Sequence, residues 1–154
     1  MLICNIDGTI ADNSHRRREL PDGGFDWDYF LRPDLISQDR VFPYVREVLN
    51  RLSARHPVIL LSGREERFRS ITRAWMAEQG LPLPVKLYLR ADGDRRTSTE
   101  FKNDILSRIV EHAHEAISYA DDNTEMDPVC AHYGIQLLHA PAVWEELFRF
   151  IHLL

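Results

Sequence analysis

Four short polar stretches carry residue types that could do chemistry together. The first is Asn5-Ile6-Asp7-Gly8-Thr9, which follows the apolar run Leu2-Ile3-Cys4. A carboxylate such as Asp7 at the end of a buried strand can exchange a proton with a ligand, although an acid followed by Gly-Thr is also an ordinary turn. The second is Ser62-Gly63-Arg64, after Val58-Ile59-Leu60-Leu61. It offers a hydroxyl, a glycine N–H and a guanidinium in succession, donors that suit a phosphate; Ser-Gly is equally a common strand-to-helix connection. The third is Lys102, in the first turn of an expected helix, where the helix dipole disfavours a cation by roughly a few tenths of a kcal/mol or more. Lys86 and Lys102 are the only lysines, and every other basic side chain is arginine. The fourth is Asp121-Asp122. Adjacent carboxylates repel unless a cation is near, so the pair suits a hard divalent ion or, more simply, a helix cap.

Each stretch needs an element to hold it. Leu2–Ile6 reads as a buried strand and 58–61 as a second. The spacing of Val45, Val48, Leu49 and Leu52 predicts a helix over 43–55, and that of Phe68, Ile71, Trp75 and Met76 a helix over 65–79 that Gly80 stops. A third strand is expected at 84–89, then a polar turn at 90–98. A helix over 99–113 carries Phe101, Ile105, Ile109 and Ala113 on one stripe, with Thr97 and Glu100 as a capping box at its start. Strands at 116–120 and 135–139 and helices at 124–133 and 142–152 complete the pattern. Strands alternating with helices imply an α/β fold with a parallel sheet covered on both faces. Three of the polar stretches then fall at carboxyl ends of strands, the edge where open α/β sheets bind ligands. Residues 13–42, with Pro21, Gly23, Gly24, Pro33 and scattered aromatics, read as an insertion over that edge within a single domain spanning 1–154.

Composition narrows the class. The chain has 154 residues, 44% hydrophobic and 28% charged, with net charge −5. This is an ordinary soluble globular profile, not a disordered, collagen-like or coiled-coil one. No apolar run approaches the ~20 residues that span a bilayer. A motif within residues 2–12 leaves no room for a leader, so a cytoplasmic protein is expected. The acidic balance argues against tight nonspecific duplex binding but permits a local basic groove. Cys4 and Cys130 read as a reduced, buried pair. Neither they nor His112, His114, His132 and His139 have zinc spacing. No GxxxxGK[ST] sequence occurs, so no P-loop kinase module is present.

In this order, and at these strand ends, the four stretches resemble the signature of the haloacid dehalogenase superfamily. Arg16, the segment Phe68-Arg69-Ser70-Ile71-Thr72-Arg73-Ala74-Trp75, and Arg90-Ala91-Asp92-Gly93-Asp94-Arg95-Arg96 are similar to the phosphatase domain of bacteriophage polynucleotide kinase. So are the distances from Arg90 to Lys102 and from Lys102 to Asp121. The insertion, with His15-Arg16 and Asp26-Trp27-Asp28-Tyr29-Phe30, is similar to small stand-alone phage and bacterial members of that group. The likeness runs from residue 2 to about 140.

This resemblance implies a Rossmann-like fold of five parallel strands in the order 3-2-1-4-5. It implies a magnesium-dependent phosphomonoester hydrolase that works through an aspartyl-phosphate, in the cytoplasm of a cell or of a phage host. The residue 5 position is that of the nucleophile. Asp7 is the general acid and base, Ser62, Gly63 and Arg64 bind the phosphate, and Lys102 stabilises the phosphoryl group. The magnesium ligands are the residue 5 side chain, the Asp7 backbone carbonyl and Asp121, with Asp122 in support. Arg16 and Arg90 face the substrate, expected to be a 3′-phosphorylated nucleic acid end or a nucleotide.

Two positions depart from the pattern. Asn5 stands where the attacking aspartate belongs, and a neutral amide cannot become an acyl-phosphate by the normal route. An engineered exchange that traps substrate or product accounts for this, since the rest of the site is intact. A natural pseudo-phosphatase that binds phosphorylated ligands without turnover is the alternative. Ser98 stands where an aspartate precedes the lysine, so an ionic buttress is missing there and the serine belongs to the turn before the helix. Substrate length stays open between a nucleic acid end and a nucleoside monophosphate. Arg16, Arg17, Arg18, Arg64, Arg67, Arg69, Arg90, Arg95 and Arg96 could line a groove for phosphates, with fewer than about half expected to touch substrate. Trp27, Tyr29 and Phe30 could stack on a base or could simply pack the insertion.

Overall fold

A computed structural model describes residues 1–153. The short first strand, β1 (Leu2–Cys4), lies at the centre of a five-stranded parallel sheet. After it come β2 (Ala11–Asp12), a 3-10 turn at Ser14–Arg16, α1 (Trp27–Phe30), α2 (Pro33–Ile36), β3 (Arg40–Val41) and α3 (Val45–Ser53). The chain continues through β4 (Val58–Glu65), a 3-10 turn at Glu66–Phe68, α4 (Arg69–Glu78), β5 (Lys86–Arg90) and α5 (Ser98–His112). It ends in β6 (Ser118–Asp121), α6 (Met126–Tyr133), β7 (Gln136–His139) and α7 (Val143–Leu153).

The sheet order is β5-β4-β1-β6-β7, which is 3-2-1-4-5 when its five strands are counted along the chain. Leu2 and Cys4 face Val58 and Leu60 on one side and Ser118 and Ala120 on the other. Because side chains alternate across a strand, the two faces carry two cores. Leu2, Cys4, Leu60 and Ala120 pack with Val45, Val48, Leu49, Trp75, Met76 and Trp144, from α3, α4 and α7. Ile3, Ile59, Leu61 and Tyr119 pack with Phe101, Ile105, Leu106 and Ile109 of α5 and with Met126 and Cys130 of α6. The two cysteines are therefore buried on opposite faces, each as a free thiol.

The capping box at α5 is present: Thr97 Oγ1 accepts from Glu100 N and Glu100 Oε2 accepts from Thr97 N. Several boundaries differ from the sequence expectation, and those nearest the polar stretches matter most. β1 stops at Cys4 rather than Ile6, because the chain turns there into the Gly8 loop. Conversely, β4 runs on through Ser62-Gly63-Arg64 to Glu65, with a register shift against β5 between Leu61 and Glu65, and α4 begins only at Arg69. The Ser-Gly-Arg stretch is thus a strand end beside β5, not a loop leading into a helix.

The insertion is pinned at its neck by the antiparallel pair β2–β3, with Ala11 opposite Val41 and Asp12 opposite Arg40. No helix among the described residues is long and apolar enough to cross a membrane.

Candidate active site

The turn after β1 sets the geometry of the first stretch. Gly8 has φ +77, a conformation natural to glycine alone. Its N–H bonds Ala11 O at 2.9 Å, and Ile6 O accepts from Thr9, Ile10 and Ala11. A Cβ on Gly8 would stand 2.3 Å from Asp122 Oδ2. Glycine here lets the first stretch close directly onto the carboxylates that end β6. Trp144 Nε1 buttresses the same turn by donating to Thr9 O at 2.7 Å.

Asn5 lies buried at the centre of this contact. Its Nδ2 donates to Asp7 O at 2.9 Å and to Thr9 Oγ1, Asp121 Oδ1 and Asp122 Oδ1, each at 3.1 Å. These oxygens settle which end of the amide faces them, because a carbonyl oxygen in that place would repel them. Asp121 is fully buried and satisfied on both oxygens. Its Oδ2 accepts from Lys102 Nζ at 2.8 Å and from the Tyr119 hydroxyl, and its Oδ1 also accepts from Asn123 N at 3.0 Å. Burial and the Asp121 charge push the Tyr119 hydroxyl well up. Partial burial, and then the Asp121 charge, also raise the Asp122 carboxyl, although that residue is open to solvent on one side. Lys102 is 2% exposed. It is brought inward by the apolar stripe of α5 and finds its partner in Asp121.

Beside this acid edge is a second cluster. Asp7 meets Arg64 in two parallel bonds, Arg64 Nε to Oδ2 and Nη2 to Oδ1, both at 2.8 Å. Arg16 Nη2 also donates to Asp7 Oδ1. Burial alone would raise the Asp7 carboxyl, but Arg64 and then Arg16 outweigh it and hold the group well below the usual carboxylate range. Arg64 Nη1 donates to Thr72 Oγ1 at 3.0 Å, and Ser62 Oγ accepts from Arg64 N at 3.1 Å. Arg16 is completely buried. It binds Asp39 twice and the carbonyl of Phe30 at 2.7 Å. Asp39 also approaches Arg64 Nη2 at 3.4 Å, and its backbone carbonyl accepts from Trp75 Nε1 at 2.7 Å. Burial pushes the Asp39 carboxyl up in spite of both arginines.

The residues expected at the site therefore fall into two groups that share one sheet edge. Asn5, Lys102, Asp121 and Asp122 form one, and Asp7, Ser62, Arg64 and Arg16 the other. Gly63 packs under α5, where an added Cβ would lie 2.8 Å from Ser98 Oγ. Ser98 is thus the first residue of the helix and a lid over Gly63. Arg16 does not line an open groove, because four of its five N–H bonds are committed inside the protein. Arg90 ends β5 in register with Glu65, with Nη1 on Arg96 O at 2.6 Å. Its Nε is the one buried side-chain polar atom without a partner among the described residues.

Of the other candidate groove residues, Arg18, Arg67, Arg69 and Arg96 pair with Asp26, Glu65, Glu66 and Asp94. Arg17, Arg90 and Arg95 have no carboxylate partner among the described residues. In the insertion Phe25, Trp27 and Phe30 pack edge to face, and Trp27 remains 62% exposed.

Sequence reasoning missed Asp39 and Thr72. Thr72 had a signal, a polar side chain on an otherwise apolar stripe of α4. Asp39 had none, since it lies in a polar stretch whose partners are distant in sequence.

The oxygens around Asn5 are of the kind a cation needs. The Asp7 carbonyl, Asp121 Oδ1 and Asp122 Oδ1 are hard oxygens converging on one point, as a divalent ion requires. That point is the Asn5 amide nitrogen, which donates protons to them; an ion there would be met by the amide oxygen once the amide is turned over. Among the described residues no three His, Cys, Asp or Glu side chains gather as ligands. The oxygens fit the ion, and Asn5 would join them only through its amide oxygen.

Residues 1–140 match the family described as the polynucleotide kinase PNKP phosphatase domain. No curated protein matches the chain. Among solved structures, a chain of the Pnkp1/Rnl/Hen1 RNA repair complex superposes with TM-score 0.71 at 22% identity, over 90% of this chain and 41% of that one. A second structure of the Pnkp1/Rnl/Hen1 complex gives TM-score 0.69, also at 22% identity, over 90% of this chain and 44% of that one. The haloacid dehalogenase-like hydrolase SP0104 from Streptococcus pneumoniae gives TM-score 0.63 at 13% identity, over 90% of this chain and 82% of that one. These likenesses show a shared fold, and this chain spans less than half the length of its counterparts in the repair complexes.

Proposed function

Because the chain belongs to the polynucleotide kinase phosphatase domain family, of haloacid dehalogenase type, we propose that its sheet edge binds the terminal phosphate of a nucleic acid 3′ end. We propose further that Asn5→Asp makes it a magnesium-dependent phosphomonoester hydrolase. The observation that carries this reading is the bidentate pair between Asp7 and Arg64 at the strand end that also holds Ser62. A general acid and a phosphate-binding guanidinium share one set of bonds. An arriving phosphoryl oxygen competes with Asp7 for Arg64, and an Asp7 freed from Arg64 and held by Arg16 alone rises back toward an ordinary affinity for protons. Such a group can protonate a leaving alcohol and then take a proton from water.

In the Asn5→Asp protein, one oxygen of the new carboxylate attacks phosphorus, the P–O bond to the alcohol breaks, and the alcohol leaves with the Asp7 proton. Water then releases phosphate and regenerates the carboxylate. Lys102 and Arg64 offset charge around the phosphoryl oxygens. Magnesium, held by the residue 5 carboxylate, the Asp7 carbonyl, Asp121 and Asp122, would lower the charge of the phosphoryl group. As it stands, with Asn5, the chain binds substrate with turnover impaired.

An RNA end is the first substrate to test, since the similar chains come from RNA repair complexes. Exposed Trp27 and the unpaired Arg17 and Arg95 supply stacking and charge for such an end. Asn5→Asp is assayed with magnesium against a 3′-phosphorylated oligonucleotide and against 3′- and 5′-mononucleotides. The expected result is release of phosphate, fastest from the oligonucleotide. A strict preference for a 5′-mononucleotide would replace the nucleic acid reading with a nucleotidase. No rate above background with magnesium bound would sink the hydrolase.

A second reading, binding without turnover, is favoured by the four oxygens gathered around the Asn5 amide nitrogen. The native codon at position 5, and the fate of a phosphorylated ligand over hours, decide between an engineered exchange and a natural pseudo-phosphatase.

A further inference from the structure

We infer that the Asn5 amide is a built-in substitute for the divalent cation, tying the site's oxygens together so that the folded site needs no metal. The inference rests on reading the Asp7 carbonyl, Asp121 and Asp122 as the metal's oxygens.

The first argument is stoichiometric. An amide NH2 has two hydrogens, yet Asn5 Nδ2 has four oxygens at 2.9–3.1 Å: Asp7 O, Thr9 Oγ1, Asp121 Oδ1 and Asp122 Oδ1. A surplus of acceptors around one small positive centre is how a cation is surrounded. The second argument is electrostatic. Lys102 reaches only Asp121 Oδ2. Asp121 Oδ1 and Asp122 Oδ1 converge on Asn5 Nδ2, so the Asn5 N–H groups lie where the repulsion of the two carboxylates is strongest. Thr9 contributes to the same arrangement by donating to Asp122 Oδ1 at 3.1 Å and accepting from Asp122 N at 3.2 Å. The third argument is steric. Amide and carboxylate have the same shape, so an aspartate at this position would keep the packing. It would also put a third acidic group among oxygens that only one ammonium offsets. The folded site would then require an ion.

Magnesium titration calorimetry and thermal unfolding, each with and without a chelator, test this on the full chain. The Asn5 protein is expected to show the same Tm in chelator and in millimolar magnesium and no measurable magnesium binding. Asn5→Asp is expected to unfold at lower temperature in chelator, to regain stability in magnesium, and to bind the ion at least about tenfold more tightly than the Asn5 protein, as an added ligand charge demands. Equal magnesium affinity and equal stabilisation in both proteins would overturn the inference while leaving the metal oxygens standing. If neither binds magnesium and Asn5→Asp is as stable as the Asn5 protein in chelator, the metal reading fails and the inference with it.

Should Asn5→Asp not accumulate in folded form, Asn5→Ala serves. It removes the amide without adding charge, so it is expected to unfold below the Asn5 protein in chelator and to be partly restored by magnesium. Equal stability of Asn5→Ala and the Asn5 protein in chelator would refute the tying role.

Discussion

Arg16 and Asp39 form a two-pronged ion pair in the protein interior. Arg16 Nε donates to Asp39 Oδ1 at 2.8 Å and Nη2 donates to Oδ2 at 2.7 Å, with neither side chain exposed to solvent. The two residues lie near opposite ends of the insertion, so the pair closes its base. Arg16 also reaches Asp7, which joins the insertion to the sheet edge. The insertion is therefore part of the site's electrostatics as well as its cover.

Removing one member of such a pair leaves the other buried with reduced compensation. Asp39→Ala is expected to destabilise the protein by about 3–5 kcal/mol in urea unfolding. In the Asn5→Asp background, Asp39→Asn should also move the acid limb of the pH–rate profile, because Arg16 and Arg64 would then lean wholly on Asp7. An Asp39→Asn protein with an unchanged pH profile would reduce Asp39 to a structural role.

Asp7 is the clearest source of pH dependence in stability. Its folded pKa lies below the unfolded value of about 4. The stabilisation it supplies is whole above that unfolded value and is lost as pH falls through it toward the folded one. The unfolding free energy difference between the unsubstituted Asn5 protein and Asp7→Asn should be constant from about pH 5 to 7 and should shrink below about pH 4. Asp39 works in the opposite sense. Its folded pKa is raised, so its ionised form costs stability that acidification restores. The Asp7 effect is therefore read from the Asp7→Asn difference and not from the curve of the unsubstituted protein alone.

Lys102 and Asp121 make a buried pair at 2.8 Å. Lys102→Met removes the only cation paired with Asp121 among the described residues and is expected to cost about 3 kcal/mol or more. Lys102→Met combined with Asp121→Asn should recover much of that loss, since no uncompensated charge remains, and a double-mutant cycle measures the coupling. A cycle that closes with no coupling would show that the pair is not what holds the lysine inside.

The order of the five sheet strands and of the helices between them, the inward stripes of α3, α4 and α5, the Thr97–Glu100 cap and the grouping of polar stretches at one sheet edge were legible in the chain; β2, β3, α1 and α2 of the insertion were not. Apolar periodicity reports which face is buried, and a cap is a matter of residues three apart. The departure at Asn5 was legible too, as a residue type. What that residue does there was not, because its four oxygens come from its own turn and from the end of β6, 116 positions away for Asp121. The same holds for Arg64 and Asp7, 57 positions apart, and for Asp39, which no local pattern marks. It also holds for the arginines, six of whose nine groove candidates turn out to bridge carboxylates of this chain. A charge in a sequence shows only that it must find water or a partner. Which partner it finds depends on distances that exist only once the sheet, the helices and the insertion have closed around it.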